Sequence, residues 1–216
     1  MKTHRSAGDT PVRPDHALIE GWIEPQARVL DLGCGDGALL ARLMKAKQVI
    51  GRGVEIDAGR VRACVARGVP VYHGDMVEGL ALFRDGSFDY VVLSQTLQEV
   101  AQPGLVLNEM LRVGRKAIVS FPNYGYWRLR LQSLFSGRSP RSRICPYRWC
   151  ESPGIHLLSV KDFREFCERD GIRIQEGVFL STSYGRLPRW GANLTAALAI
   201  FLLARSEGRD ARKRIR

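Results

Sequence analysis

Along most of its length the chain alternates between short apolar runs suited to strands and apolar stripes at helical spacing. Leu18, Ile19 and Trp22 give an amphipathic helix over residues 15–22. Residues 28–31 form a brief β-rich run that ends in a glycine-rich turn, and a helical pattern follows over 38–44. Residues 48–55, with Val49, Ile50 and Val54, read as a second strand; Asp57 then suits the N-cap of a helix through Arg67 that Gly68 ends. Residues 69–72 are a third strand. Residues 87–94 are a fourth, and the run Phe88, Tyr90, Val91, Val92, Leu93 suits burial on both faces. A helix over 103–112 turns Leu107, Met110 and Leu111 inward, and residues 116–121 form a fifth strand closed by Pro122. Ser159 caps a helix to residue 170, with Phe163, Phe166 and Cys167 inward and Gly171 at its end. Residues 172–180 and 194–204 read as closing strands, although the second is rich enough in Ala and Leu to be helical.

Strands alternating with helices predict an α/β fold: a mostly parallel seven-stranded sheet with helices on both faces. The 216 residues fit one domain over 14–204, preceded by a flexible stretch 1–13 and followed by a tail 205–216. There is no signal-peptide pattern, and the longest apolar run, 195–204, is far shorter than the ~20 residues a membrane span needs. The five cysteines form no CxxC pair, which reads as reduced thiols in a cytoplasmic protein.

The net charge of +11 becomes informative once it is located. Residues 17–123 hold twelve basic and twelve acidic side chains. Residues 124–155 hold six arginines against Glu151 alone, and residues 205–216 hold six basic against two acidic side chains. The basicity therefore belongs to an insertion and a tail. The tail reads as a solvated, disordered segment rather than a nucleic-acid arm.

Chemistry concentrates where strands end. In Asp31-Leu32-Gly33-Cys34-Gly35-Asp36-Gly37, alternate glycines let the backbone turn tightly and approach a ligand closely. Loops that bind a pyrophosphate rarely carry acids, because their ligand is anionic. Asp31 and Asp36 instead suit a cation, such as the sulfonium and ammonium groups of S-adenosyl-L-methionine (SAM). Glu55 lies twenty residues beyond Gly35, at the expected end of the second strand, where a carboxylate can accept from both ribose hydroxyls. Ile56 follows it, and Asp57 competes for the ribose role although its position suits a helix cap better. Asp75 and Met76, after the third strand, are candidates to bond the adenine amino group and cover its ring. His73 beside them reads as a neutral packing residue. Ser94 and Gln95, after the fourth strand, would meet the methionine portion, since ligands in open α/β sheets sit beyond the carboxyl ends of the strands. No residue group suggests a metal site.

These segments together resemble the Rossmann-like class I SAM-dependent methyltransferases. The runs VLDLGCGDG, GVEID, SFDYVVLSQTLQEV, EMLRVGRKAIVSFPNYGYWRLR, PYRWCESPGIHL and DFREFC resemble, more narrowly, the methionine-biosynthesis family MetW over residues 15–183. The first two runs are common to the whole superfamily; Phe121 to Arg128 is far more specific. Cys150-Glu151 stands where the resemblance would place Tyr-Asp. The resemblance implies SAM or S-adenosyl-L-homocysteine as cofactor, and homoserine O-acyltransferase MetX as partner in methionine synthesis.

Two functions follow from it: an accessory or regulatory subunit that supports homoserine O-acylation, or an active methyltransferase on a small molecule. No Asn-Pro-Pro-Tyr or Pro-Cys motif follows the fourth strand, and Ser94 is in no Gly-x-Ser-x-Gly elbow, so the chain is not itself the acyltransferase. The catalytic residues, and whether a homo-oligomer forms, stay open at this point. Tyr124, Tyr126, Trp127, Tyr147 and Trp149 in the insertion would line an acceptor pocket in an enzyme, lie exposed with arginines at a protein interface, or simply belong to the core.

Overall fold

A computed structural model describes residues 13–137, 140–141 and 156–206. Tyr147, Trp149, Cys150, Glu151 and the tail from residue 207 lie outside the described residues. In chain order the elements are α1 (Pro14–Trp22), β1 (Arg28–Leu32), α2 (Ala38–Lys47), β2 (Ile50–Glu55), α3 (Ala58–Ala66), β3 (Val71–His73), α4 (Met76–Ala81) and β4 (Phe88–Ser94). A 3-10 turn (Leu97–Glu99) leads to α5 (Pro103–Val113), β5 (Gly114–Pro122), α6 (Trp127–Ser136), α7 (Val160–Asp170), β6 (Ile172–Leu180), β7 (Arg186–Leu187), α8 (Ala192–Thr195) and β8 (Leu198–Arg205).

Among the described residues the sheet has eight strands in the order β3-β2-β1-β4-β5-β8-β6-β7, one more than the seven expected. The extra strand, β7, is a two-residue return that pairs antiparallel with the end of β6. Two residues carry no alternation for a sequence reading to detect. The segment 194–204 resolves into both of its readings: its first residues close the short helix α8, and the rest is strand β8. Strands β1 to β5 pair in parallel, and β8 and β6 close the sheet antiparallel.

Period-two alternation divides the core cleanly. Leu30, Leu32, Val91, Leu93, Val119 and Phe201 pack with α4, α5 and α7 on one face. Val29, Tyr90, Val92, Ile118 and Ile200 pack with α1, α2 and α3 on the other. The helix signals read from sequence are satisfied locally. Asp57 caps α3 by accepting from the Arg60 N–H at 2.8 Å. Ser159 and Asp162 form a reciprocal capping box on α7, which Gly171 ends at φ 68°.

After β5 the chain is fixed by one fully buried side chain. The Asn123 amide nitrogen donates to the carbonyls of Ala192, Asn193 and Ala196 at 3.4, 3.0 and 2.7 Å. Its oxygen accepts from the N–H groups of Gly125 and Val160 at 3.0 and 3.1 Å. Three separate stretches of chain are thereby held to the end of β5.

Candidate functional site

The strand order reverses between β1 and β4, which opens a crevice beyond their carboxyl ends. On one side of it lies the glycine loop. Gly33, Gly35 and Gly37 have φ of 63°, 60° and 75°, left-handed values that other side chains rarely adopt. A Cβ on Gly33 would also stand 3.1 Å from Cγ2 of Thr96. The loop is tied back by the Cys34 N–H donating to the Val54 carbonyl at 3.1 Å.

Asp31, at the end of β1, is buried and has no hydrogen-bond donor among the described residues. Burial pushes its carboxyl up to about 7; the Arg13 guanidinium works against that rise, and the Glu55 carboxylate adds to it. Glu55 is equally buried but well satisfied. One oxygen accepts from the Gly35 N–H at 2.8 Å, and the other accepts from Ile56 and Asp57 at 2.9 Å each. Glu55 therefore ties the end of β2 to the glycine loop. Of the roughly four acceptor positions on a carboxylate, three are in use, so ribose hydroxyls would have to share or displace these bonds.

Other candidates prove to be engaged locally. Asp36 accepts from Ala38 at the start of α2 and pairs with Arg67 at 2.7 Å. Asp75 is exposed and caps α4 by accepting from the Val77 N–H at 2.7 Å, while half-buried Met76 packs on the core. The Cys34 thiol turns away from the crevice and lies 3.7 Å from the Cys64 sulfur. A Cβ on Gly53 would come within 2.5 Å of it, so any other residue there would force the Cys34 thiol to move. Burial raises both thiols above their ordinary range. Ile56 stays exposed beside Glu55. His73, expected to pack, is instead exposed, with its ring nitrogen 3.1 Å from the Ile56 carbonyl.

The opposite wall is a polar ledge built by α1 against the ends of β4 and β5. Asp15, fully buried, pairs with Arg13 at 2.5 Å and accepts from the Gln95 amide at 2.8 Å. Ser94 accepts from Arg13 at 2.8 Å, lies 3.2 Å from Asp15 and also 3.2 Å from the Ser120 hydroxyl. Gln95 sits at φ 55°, a strained value for a non-glycine residue, and its N–H donates to the Ser120 carbonyl at 2.9 Å. Burial raises the Asp15 carboxyl, but Arg13, His16 and Gln95 more than offset this and hold it below the usual range. His16, next along α1, is pushed down to about 4 by burial and by Arg13, so its imidazole is neutral.

The structure thus brings Asp31, the glycine loop and Glu55 to one wall and Ser94 and Gln95 to the other. Arg13, Asp15, His16 and Ser120 were not among the sequence candidates. The apolar stripe of α1 announced a core helix, and nothing in it marked which polar residues would face the strand ends. Beyond the ledge two buried polar atoms, Gln98 Oε1 and His156 Nε2, have no hydrogen-bond partner among the described residues. They belong to residues joined by a backbone bond, the His156 N–H to the Gln98 carbonyl at 3.1 Å. Among the described residues no group of His, Cys, Asp and Glu could hold a metal ion, and no helix is long and apolar enough to cross a membrane.

This architecture is the SAM-dependent methyltransferase fold. A SAM-dependent methyltransferase from Archaeoglobus fulgidus superposes with a TM-score of 0.64 at 14% identity, covering 88% of this chain and 94% of that one. A TehB-like SAM-dependent methyltransferase from Corynebacterium glutamicum gives 0.60 at 17% identity, over 93% and 91% of the two chains. Within that fold the chain belongs to the family "Methionine biosynthesis protein MetW", which it matches over residues 13–203. It is 35% identical to the bifunctional methionine biosynthesis protein MetXA/MetW of Rhodopirellula baltica, over 94% of this chain but 35% of that protein. It is 34% identical to a ubiquinone biosynthesis O-methyltransferase of Xanthomonas axonopodis pv. citri, over 53% of this chain and 54% of that one. The chain therefore spans about a third and about half of these two relatives.

Proposed function

We propose that this chain is a SAM-binding partner of the homoserine O-acyltransferase MetX that supports homoserine O-acylation in methionine synthesis. The observation that carries the partnership is the relative in which a MetW-like part and MetXA are one polypeptide. Covalent linkage raises the effective concentration of two modules toward each other, and selection favours it where they act together.

The crevice fits the ligand. A buried carboxylate without a donor, as at Asp31, calls for a cation or a hydrogen-bond donor. Arg13 and Asp31 together set a positive group near a negative one, the complement of an α-amino acid zwitterion. Gly33 and Gly35 let the loop backbone approach the nucleoside, Glu55 and Ile56 stand at its ribose and adenine, and Ser94 and Gln95 form the floor of the amino-acid end. SAM supplies an activated methyl group when bound; as the end product of the pathway it also makes a logical feedback signal.

The test is homoserine acylation by the matching MetX, assayed with and without this chain and with SAM titrated in. An increase in acylation that responds to SAM supports the reading. No binding, no change in acylation and methyl transfer to a metabolite would sink it.

The second reading, a small-molecule methyltransferase, is favoured by one observation. The unpartnered Gln98 and His156 atoms could take a polar acceptor. Methyl transfer asks mainly for in-line positioning, so the lack of an evident base does not count against it.

A further inference from the structure

Helix α6 carries its apolar face the wrong way for a core. At about 100° per residue, Trp127, Leu131, Leu134 and Phe135 fall on one side of the helix, and all four are exposed, Leu134 by 73% and Phe135 by 80%. The only buried residue of the helix, Leu129, lies on the opposite side and packs with Tyr126 and Ala197. Arg128 and Arg130 flank the apolar stripe, one on each side, and the Arg128 guanidinium stacks 5.2 Å from the Trp127 ring. From Tyr124 to Cys150 the sequence contains no acidic residue and six arginines.

Monomers rarely leave so many large apolar side chains together in water. Aromatic residues and arginine are enriched at protein interfaces, and a lack of acids selects a partner that supplies them. We infer that the outward face of α6 is the docking surface for the acyltransferase, and that the facing surface of that enzyme has an apolar centre rimmed by carboxylates. This rests on the partnership proposed above, and adds to it where on this chain the partner sits.

The experiment measures binding of the full chain to the purified matching acyltransferase by calorimetry. Wild type is compared with the double variant Leu134→Asp/Phe135→Asp and with Arg128→Ser/Arg130→Ser. Circular dichroism and thermal melts check folding, and Leu134→Ser/Phe135→Ser replaces the first variant should it misfold. The expected result is a loss of about thirtyfold or more for the apolar variant. For the arginine variant it is a smaller loss that shrinks as salt rises. If wild type binds and the variants bind equally well, the docking face lies elsewhere and the partnership stands. If wild type does not bind at all, both the surface and the partnership fall. Two further controls are sedimentation of the chain alone and flotation with vesicles of phosphatidylcholine and phosphatidylserine. A self-association or a vesicle affinity that the apolar variant abolishes, with acyltransferase binding untouched, assigns the face to a second copy or a lipid surface and overturns the proposal.

Discussion

The two walls of the crevice are built by opposite strategies. The loop wall is local: Asp31 to Gly37 turn within a few residues, and Glu55 fastens them from a strand directly alongside. The ledge wall is assembled at long range: Asp15 meets Ser94 and Gln95 across about eighty residues of sequence. Their charges differ as well. The loop wall holds a buried acid pushed up to about 7, while the ledge holds an acid satisfied by a guanidinium and kept ionised. In the SAM-binding reading proposed above, Asp31 on the loop wall would take the positive group of the ligand, and Arg13 on the ledge, 41% exposed despite its pairing with Asp15, would face the carboxylate.

Substitutions can break this contrast. Gly33→Val has the largest expected effect: a branched side chain in the left-handed region and against Thr96 adds strain and overpacking of about 3 kcal/mol or more. Loss of SAM binding with a lowered melting temperature is expected, and a Gly33→Val protein that binds SAM normally removes the loop from the site. Asp15→Ala comes next. It leaves Arg13 without its buried partner, which costs about 3 kcal/mol in urea unfolding, toward the low end for broken buried pairs because Arg13 is itself partly exposed. A loss under about 0.5 kcal/mol would show that the ledge is not an organised wall.

Glu55→Ala is expected to weaken SAM binding by about 1.5–3 kcal/mol, the worth of a hydrogen bond to a charged group; unchanged affinity in calorimetry would take Glu55 out of the ribose role. A pH series sharpens the contrast further. The ordinary carboxyl value for Asp31 is 3.8 and its folded value is about 7, so the fold favours the neutral acid. Its contribution to stability is present below 3.8 and is lost as pH rises through about 7. A cationic ligand reverses that preference, so SAM affinity should climb with pH by up to about tenfold per unit and level off above 7. Asp31→Asn should flatten the curve. His16 runs the other way: lowered from 6.5 to about 4, it stabilises the fold above 6.5 and loses that contribution as pH falls toward 4. The smallest effect is Arg67→Ala, which removes a half-exposed pair with Asp36 and should change stability by about 0.5 kcal/mol or less. A larger drop would mean that Asp36 shapes the loop through Arg67.

The same contrast explains what could be read from sequence. Short-range signals such as the glycine loop, the strand runs and the caps at Asp57 and Ser159 were legible because the residues that cause them are neighbours. The ledge was not, since only the folded sheet brings Arg13, Asp15 and Ser120 to Ser94. Asp36 and Asp75, both candidates for ligand contact, also accept from N–H groups at helix starts, a use that the same residue type at a strand end allows equally well. Helix α6 is hard to read from sequence for a different reason. Reading periodicity assumes that an apolar stripe marks the core, and here the stripe faces outward.

Asn123 also constrains how this chain can change over time. Its site is buried and uses both amide hydrogens and the carbonyl oxygen, binding five backbone groups at once. Aspartate offers no hydrogens, leucine offers nothing polar, and glutamine is a methylene too long for a space with no room. Each single substitution strands several peptide groups away from water. The segment after the fifth strand is therefore held to one letter of the alphabet by geometry, whatever the protein binds, while the exposed face of α6 a few residues later carries no such constraint.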